Sequence, residues 1–282
     1  VRDPHGIKPL YVCRNPDPNG NWSLVFASEL RAIMACGLIG RPRVNPSAVA
    51  SVVWNGYVMG PQTIVAGVDG VLPGTAAVFG QRGEPVREAT FDSLTPRATD
   101  EQRTAGDLAV ALQECVGLHL AADVPLGVFL SAGIDSSAVA NLAQKARPGD
   151  RVKTFTLAFD DPSLSEGVPA RAIAAAIGTD HQEITLTEAS FVGDLELALD
   201  TLDQPTFDGL NSYYMSRAVR DAGLTVALAG TGGDELFGGY SRYPLAMRAW
   251  PRLTRVPYSM RRATRAMVTA VGAGTWNRAL GP

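Results

Sequence analysis

Two short polar stretches, far apart along the chain, carry the residues whose types and spacing could do chemistry. The first runs Ser131-Ala-Gly-Ile-Asp-Ser-Ser137 and the second runs Gly230-Thr-Gly-Gly-Asp-Glu235. Small hydroxyl residues and glycines leave backbone N–H groups open to a phosphate, whereas Asp135 and Asp234 would repel one unless a cation lay between them. The two stretches together predict a phosphate-binding site in which Asp135 and Asp234 bind one Mg²⁺.

The first stretch lies between a predicted strand and a predicted helix. The apolar run 126–130 is short and well bounded, as in a buried parallel strand, and the Ala/Leu-rich residues after Ser137 suit a helix. Free N–H groups and the positive end of the helix dipole then face one point, which attracts phosphate. The plain alternative is a turn in which serine and aspartate only cap the helix.

The second stretch follows a predicted strand at 224–229. Five of the ten residues from 230 to 239 are glycines, which is typical of a loop that something approaches closely. Asp234 and Glu235 come directly after these first glycines. The alternative here is a glycine-rich turn with solvated acids.

Further strands and helices alternate between the two stretches, which predicts an α/β fold with a doubly wound parallel sheet. The expected strands are 152–159 and 181–186, and the expected helices are 107–120, 166–177, 190–202 and 211–222. Ligands of such sheets bind outside the carboxyl ends of the strands. Both Ser131 and Gly230 follow such an end, so the two stretches are expected to meet.

The N-terminal third has a different pattern, with short strands, a first helix and then a capped helix followed by a loop over 45–60. A helix is expected over 28–36, with Ser28 as its N-cap and Gly37 as its stop. Residues 83–105 are polar, contain prolines and lack periodicity, as in a linker. The predicted organisation is therefore a first unit at 1–82, a linker at 83–105 and a second unit at 106–282.

Both polar stretches resemble one known family. Ser131–Ser137 is similar to the pyrophosphate loop of the N-type ATP pyrophosphatases, except at Ala132, where that group usually has glycine. Alanine would cost about 1 kcal/mol or more if the position needed a positive φ. Together with Gly-Thr-Gly-Gly-Asp-Glu-Leu-Phe-Gly-Gly-Tyr240, the loop resembles the synthetase domain of the asparagine synthase (glutamine-hydrolysing) family.

The N-terminal residues resemble a second part of the same family. Arg2–Tyr11 and Phe26–Ala32 are similar to the closing part of a class II glutamine amidotransferase domain. The resemblance implies an α+β, Ntn-type glutaminase remnant followed by an adenine nucleotide alpha-hydrolase-like synthetase domain. It further implies an incomplete chain, because the catalytic N-terminal cysteine and a later catalytic lysine segment have no counterpart.

The resemblance also implies a reaction and a set of site residues. The family uses ATP and Mg²⁺ to adenylate a substrate carboxylate and then delivers glutamine-derived ammonia, which releases AMP and pyrophosphate. The implied phosphate-binding residues are Ser131, Gly133, Asp135, Ser136 and Ser137. Those implied around the adenosine are Leu130, Leu157, Ala229 and Gly230. The implied metal ligands are Asp135 and Asp234, and the implied catalytic positions are these two residues and Thr231.

Thr231 stands where asparagine synthetases usually have glutamate. Threonine is no general base at neutral pH, so the substrate is left open as aspartate or a related carboxylic acid. Two other readings stay open. One is a degenerate, non-catalytic nucleotide-binding protein, favoured by Ala132, Thr231 and the missing ends. The other is a different N-type ATP pyrophosphatase such as a tRNA-modifying enzyme. The amidotransferase-like residues Arg2–Tyr11 argue against this second alternative.

Composition narrows the remaining classes. The 282 residues carry a net charge of −3, which gives no general reason to expect nucleic acid. Cys13, Cys36 and Cys115 lack close spacing and are expected to be reduced structural thiols, and the three histidines have no metal-ligand spacing. Without a membrane-length apolar run, the protein is expected to be soluble and cytoplasmic, with no membrane partner and with a homodimer possible. The arginine-rich stretch 241–282 is expected to be a solvated face or a contact with acidic segments.

Overall fold

The computed structural model describes residues 1–17, 19–92, 104–160, 165–257 and 260, and these form an antiparallel N-terminal part and a parallel C-terminal part. The N-terminal sheet has the order β2-β1-β3, and a separate hairpin pairs β4 with β5. The strands are β1 Tyr11–Arg14, β2 Leu24–Ala27, β3 Val68–Gly70, β4 Thr75–Phe79 and β5 Pro85–Thr90, and the helices are α1 Leu30–Ala35 and α2 Pro46–Asn55. Cys13, Leu30, Ile33, Val65 and Val68 form the buried core of this part.

Two details of this part differ from the sequence prediction. The predicted Ser28 cap is wrong, because the N-cap of α1 is Glu29, whose side chain makes no capping hydrogen bond. The carboxylate of Asp203, from the other part of the chain, accepts the N–H groups of Leu30 and Arg31 instead. In addition, β5 lies inside the predicted linker 83–105, of which residues 93–103 are outside the described residues. Most of β5 is exposed, so its sequence has no apolar alternation.

The C-terminal part contains a parallel sheet of four strands within the described residues, in the order β8-β7-β6-β9. Its strands are β6 Leu126–Phe129, β7 Lys153–Phe159, β8 Asp180–Leu186 and β9 Val226–Leu228, and its helices are α3 Ala105–His119, α4 Ile134–Ala146, α5 Gly167–Ile177, α6 Glu188–Thr201, α7 Gly209–Asp221, α8 Gly233–Phe237 and α9 Arg242–Thr254. The predicted strands and helices of this part are therefore present, with ends shifted by a few residues.

Helices cover both faces of the sheet. On one face, Val128 and Leu130 pack with residues of α3, α4 and α5 in a buried core. On the other face, Phe155 packs with Val219 of α7 and with Leu224, and Phe129 joins that cluster. Neighbouring residues of β6 thus point to opposite cores, as the period of two in a strand requires. The predicted α/β class with a doubly wound parallel sheet is confirmed.

Strand order identifies where a ligand would bind. From β6 the chain moves outward to β7 and β8, and it then returns to the other side of β6 to form β9. The order therefore reverses between β6 and β9, and crevices at such reversals lie at the carboxyl ends of the strands. The turn after β6 and the turn after β9 are the two polar stretches.

The remaining observations concern the surface. No helix among the described residues combines the length and the apolar character that a bilayer crossing needs. Within the arginine-rich stretch 241–282, α9 is described, whereas Arg261, Arg262, Arg265 and Arg278 lie outside the described residues.

Candidate active site

A cavity of about 780 Å³ opens at the carboxyl ends of β6, β7 and β9. Every site residue predicted from the sequence except Ser137 lines it, namely Leu130, Ser131, Gly133, Asp135, Ser136, Leu157, Ala229, Gly230, Thr231 and Asp234. Residues from the two distant stretches and from the ends of β6, β7 and β9 thus share one crevice. Their individual roles stay predictions.

Hydroxyl groups hold the turn after β6 in shape. The side-chain oxygens of Ser131 and Ser136 lie 2.8 Å apart, and Ser136 Oγ also accepts the Ser131 N–H at 3.1 Å. Gly133 N–H donates to Ser131 Oγ at 3.1 Å. Ser136 is 8% exposed. The two serines therefore fix the backbone of the turn by using the N–H groups of Ser131 and Gly133 within it.

The first turn of α4 offers N–H groups to a ligand. Its N-cap is Gly133, which has no side chain to accept them, and no side-chain cap is present. The helix dipole adds positive potential at the same end. Ser137 points elsewhere, because its Oγ donates to the carbonyl of Gly133 at 2.7 Å. In this geometry Ser137 stabilises the first turn of the helix and its side chain does not line the cavity.

Ala132 fits the turn without backbone strain. No described residue other than glycine has a positive φ, so the penalty expected for alanine at this position is absent. The Ala132 N–H donates to Glu166 Oε2 at 3.2 Å. A carboxylate thus already lies against an N–H group of the turn, which is the kind of group that an anionic ligand would use.

Glu166 was missed by the sequence analysis. It is the N-cap residue of α5 and it lines the cavity from the carboxyl end of β7. The available signal was its position, since an acid between a buried strand and the next helix falls at the ligand edge of a parallel sheet. Asn211 and Met215 of α7 were also missed, because helix periodicity does not indicate which residues line a cavity.

Glycines let the two turns touch. A Cβ at Gly230 would lie 2.6 Å from Ser136 N and 2.9 Å from the Asp135 carbonyl carbon. A Cβ at Gly233 would overlap the Asp135 carboxylate. The glycine-rich stretch is therefore packed directly against the first turn, and larger residues would separate the two.

Asp135 and Asp234 border the same cavity. The Asp135 carboxylate lies against Gly233, the residue before Asp234, and the Asp234 carboxylate lies against Gly239, where a Cβ would overlap it. Within the described residues, no group of three or more histidine, cysteine, aspartate or glutamate side chains is arranged to hold a metal. A metal here would rely on these two carboxylates together with oxygens of the ligand and water, which is how Mg²⁺ commonly binds beside phosphates.

Glu235 is used differently from its neighbour. Its Oε1 accepts a hydrogen bond from the Tyr240 hydroxyl at 2.6 Å. This bond holds the pKa of Glu235 below its ordinary value and raises the pKa of Tyr240. The Arg242 guanidinium stacks 4.3 Å from the centre of the Tyr240 ring. Glu235 therefore helps fix the chain between α8 and α9.

The cavity combines an apolar wall with negative charge. Its aromatic residues are Phe129, Phe155, Phe159 and Phe237, beside Leu130 and Leu157. Its charged side chains are Asp135, Glu166 and Asp234, and the described lining includes no lysine, arginine or histidine. Carboxylates alone repel a phosphate. The residues therefore fit a nucleotide only when a divalent cation accompanies it, and the donor set suits Mg²⁺.

The fold and the site define a class of protein in which an antiparallel part precedes a parallel α/β domain, and a serine-rich turn of that domain packs against a glycine-rich one. The family model Asparagine synthase matches residues 107–280, and the model Glutamine amidotransferase domain matches residues 1–90. Because the first match spans more than half of the chain, the chain belongs to the asparagine synthase family. The resemblance drawn from the motifs is confirmed.

Sequence similarity to curated proteins supports the same family. The chain is 31% identical over 258 residues to asparagine synthetase (glutamine-hydrolyzing) 1 of Bacillus subtilis, a match that covers 90% of this chain and 39% of that protein. It is 33% identical over 266 residues to a putative asparagine synthetase (glutamine-hydrolyzing) of Mycobacterium tuberculosis, with 90% and 40% covered. The chain therefore spans about two fifths of the length of these relatives.

Solved structures give partial likenesses. The NH3-dependent NAD synthetase of Campylobacter jejuni matches with a TM-score of 0.36 and 16% identity, over 49% of this chain and 62% of that one. A glutamine-dependent NAD+ synthetase of Acinetobacter baumannii, solved with ADP, matches with a TM-score of 0.35 and 18% identity, over 66% and 39%. The fold assignment rests on the sheet described above.

Proposed function

We propose that this chain belongs to an ATP-dependent amide ligase of the asparagine synthase type. The substrate is aspartate or a related carboxylic acid, the nitrogen comes from glutamine by way of ammonia, and AMP and pyrophosphate are released. The observation that carries the proposal is the contact of Gly230 and Gly233 with Asp135, at the point where the strand order reverses. Family membership supports the same reaction class.

The turn after β6 is proposed to hold the phosphates of ATP. The N–H groups of the first turn of α4, which no side-chain cap uses, supply the donors. Ser131 and Ser136 keep these donors in place through their mutual bond, Gly133 leaves room, and Ser137 secures the helix start. A preformed set of donors stabilises charge on the departing pyrophosphate without reorganisation.

Asp135 and Asp234 are proposed to hold Mg²⁺. When bound, the ion neutralises negative charge on the phosphates and so makes the α-phosphorus accessible to an anionic carboxylate. The charge of the cavity supports this assignment, since its described lining contains acids and no cationic side chain. Glu166 accepts the Ala132 N–H, and a phosphate oxygen bound at that N–H would replace it.

The adenosine is proposed to lie against the ends of β6, β7 and β9. Leu130 and Leu157 contribute apolar surface on either side, and backbone groups of Ala229 and Gly230 contact it from β9. Thr231 then lies next to the reacting end of the nucleotide. Its hydroxyl can donate or accept a hydrogen bond at the acyl group, but it does not act as a base at neutral pH.

Two displacement steps account for the products. A carboxylate oxygen of the substrate attacks the α-phosphorus of ATP, and pyrophosphate leaves. Ammonia then attacks the acyl carbon of the acyl-adenylate, loses a proton, and AMP leaves as the amide forms. In-line attack requires the acid and the nucleotide to be held in one orientation, which a crevice with one apolar wall and one phosphate-binding turn provides.

Isotope exchange tests the first step directly. The protein with ATP, Mg²⁺ and each acid of a panel headed by aspartate is incubated with ³²P-pyrophosphate, and label entering ATP is measured. We expect exchange with at least one acid and none without Mg²⁺. ATP binding without any exchange would favour the non-catalytic nucleotide-binding alternative, and exchange that needs tRNA in place of the acid would favour a tRNA-modifying enzyme.

Asp135→Asn is expected to abolish exchange, because the amide keeps the shape of the side chain and removes the charge that Mg²⁺ needs. The matched control is Asp123→Asn, an exposed acid outside the cavity, which should exchange like the unaltered chain. Unchanged exchange in Asp135→Asn would remove this residue from the mechanism.

Thr231→Val separates the two steps. Valine keeps the branched shape and removes the hydroxyl. If Thr231 acts on the acyl group during attack by ammonia, pyrophosphate exchange persists while amide formation from ammonium chloride falls roughly tenfold or more. Equal loss of both activities would instead assign Thr231 to nucleotide binding.

A further inference from the structure

The segment between α6 and α7 connects the two parts of the molecule. The Asp203 carboxylate accepts the N–H groups of Leu30 at 2.8 Å and of Arg31 at 2.9 Å, and so caps α1 across 173 and 172 positions of sequence. The Arg31 guanidinium donates hydrogen bonds to the carbonyls of Asp200 and Thr201. The start of α1 and the end of α6 are therefore held together from both sides.

Gln204 extends the same contact. Its side-chain oxygen accepts the Ile64 N–H at 3.0 Å, and its side-chain nitrogen donates to the Tyr11 hydroxyl at 3.2 Å. One amide thus bridges β1 and the chain after α2. Both groups of the amide are used, so the side chain has one orientation.

The following residues continue onto α2. The Phe207 N–H donates to the Gly56 carbonyl at 2.7 Å, and Tyr57 and Thr206 form an isolated antiparallel bridge. Gly56 has φ of 84° and ends α2, and a Cβ there would lie 3.1 Å from the Phe207 ring. The whole stretch 203–207 is therefore attached to the N-terminal part.

This attached stretch leads straight into the wall of the cavity. Helix α7 begins at Gly209, whose N–H donates to the Thr206 carbonyl at 3.3 Å. Asn211 and Met215, in the first two turns of α7, line the cavity at the ends of the strands. The position at which α7 starts thus depends on contacts made by residues 203–207.

We propose that Asp203 is a positioning residue for the nucleotide site, acting through Asn211. By capping α1, Asp203 fixes the start of α7 relative to the sheet, and this sets the distance of Asn211 from the two polar turns. The inference rests on the proposed function, since it assumes that the cavity binds ATP. It makes the N-terminal, amidotransferase-like part a determinant of nucleotide affinity without touching the nucleotide.

A double-mutant cycle tests this dependence. ATP binding in the presence of Mg²⁺ is measured by equilibrium dialysis for the unaltered chain, Asp203→Ala, Asn211→Ala and the double variant. We expect each single change to weaken binding roughly fivefold, and the double variant to bind no more weakly than the worse single variant. If Asp203 only stabilised the fold, the factors by which the two single substitutions weaken ATP binding would multiply in the double variant.

The control is Asp200→Ala, which removes an exposed carboxylate from the same helix end and should leave ATP affinity unchanged. Circular dichroism checks that each variant is folded. If Asp203→Ala does not fold, Gln204→Leu replaces it in the cycle, since leucine keeps the bulk and loses both hydrogen bonds.

The outcomes separate the two proposals. An unaltered chain that binds no ATP contradicts the proposed function. An unaltered chain that binds ATP, together with independent effects of the two substitutions or with unchanged affinity in Asp203→Ala, overturns the positioning role alone.

Discussion

Glycine in the second polar turn serves close approach more than backbone freedom. At Gly230 and Gly233 a side chain would meet the backbone or the carboxylate of the first turn, whereas Gly232 has φ of 98° and faces open space. At Ala132, where the family usually has glycine, backbone freedom is not needed either, because the conformation is one that any residue adopts. The departure from the family motif at Ala132 is therefore no evidence of lost function.

The first prediction concerns Gly230. Gly230→Ala places a Cβ 2.6 Å from Ser136 N, so the two turns must move apart. We expect ATP affinity to fall roughly tenfold or more, with a stability loss of about 1–3 kcal/mol from overpacking. Equilibrium dialysis and urea unfolding measure the two effects.

The matched control for this substitution is Gly117→Ala. Gly117 lies in α3, and a Cβ there would meet nothing within 4 Å. This change should leave ATP affinity unaltered and add a few tenths to about 1 kcal/mol of stability, since alanine favours helix. Equal affinity losses in both variants would show that the contact between the turns is not what matters.

At the scale of elements, strands and helices are joined by side chains that no local pattern identifies. The Nδ1 atom of His181 in β8 is hydrogen-bonded to Thr154 Oγ1 at 3.0 Å, and Thr154 Oγ1 lies 2.8 Å from Thr179 Oγ1. The Nε2 atom of His181 is buried and has no hydrogen-bond partner among the described residues. A proton on Nε2 would be buried without an acceptor, so this layer of the domain favours the neutral imidazole.

The second prediction is a pH dependence of stability that originates at His181. Burial lowers the pKa of His181 from its ordinary value of 6.5, the charge of Glu183 opposing it. The unfolded chain therefore binds a proton at higher pH than the folded chain does. Stability from this residue is complete above about pH 6.5 and decreases as the pH falls from there towards the lower folded pKa.

Urea unfolding at pH 7.5 and pH 5.5 checks this sign. His181→Asn retains a polar group near Thr154 and cannot be protonated, so it should lose less stability between the two pH values than the unaltered chain does. His119→Asn, at an exposed histidine of α3, serves as the control and should keep the full pH dependence. An identical pH dependence in His181→Asn would contradict the assignment.

At the scale of the whole molecule, the contacts of residues 203–207 join two parts that have separate buried cores. If these contacts make the parts unfold together, a ligand of the C-terminal cavity protects the N-terminal core. Cys13 is a suitable reporter, because it is 7% exposed and burial raises the pKa of its thiol, while Cys36 and Cys115 are exposed.

The third prediction is that ATP with Mg²⁺ slows modification of Cys13. A thiol reagent should label Cys36 and Cys115 at once and Cys13 only on unfolding. At an ATP concentration 100 times its Kd, Cys13 labelling should slow by about 100-fold. The reaction is followed by mass spectrometry in the Cys36→Ser, Cys115→Ser double variant.

Adding Asp135→Asn to that double variant supplies the control, since ATP should then have no effect on Cys13. Equal labelling rates with and without ATP, in a chain that binds ATP, would mean that the N-terminal part opens on its own. Cooperative unfolding would in that case not depend on the stretch 203–207.

The sequence by itself determined the residue types of the two polar turns, the parallel strands around them and the family. These features are local, because an apolar run, a glycine cluster and a serine-rich turn each act over fewer than about ten residues. The meeting of the turns also followed from the sequence, since parallel strands end at one edge of a sheet.

Only the tertiary structure decided which partners distant groups would have. The Asp203 carboxylate caps α1 in place of Ser28, Glu166 lies on the Ala132 N–H, and Ser137 turns away from the cavity. A hydrogen-bond donor is satisfied by whichever acceptor the folded backbone brings within about 3 Å. No periodicity along the chain indicates which acceptor that will be. The partner is therefore known only when the sheet, its helices and the N-terminal part are assembled.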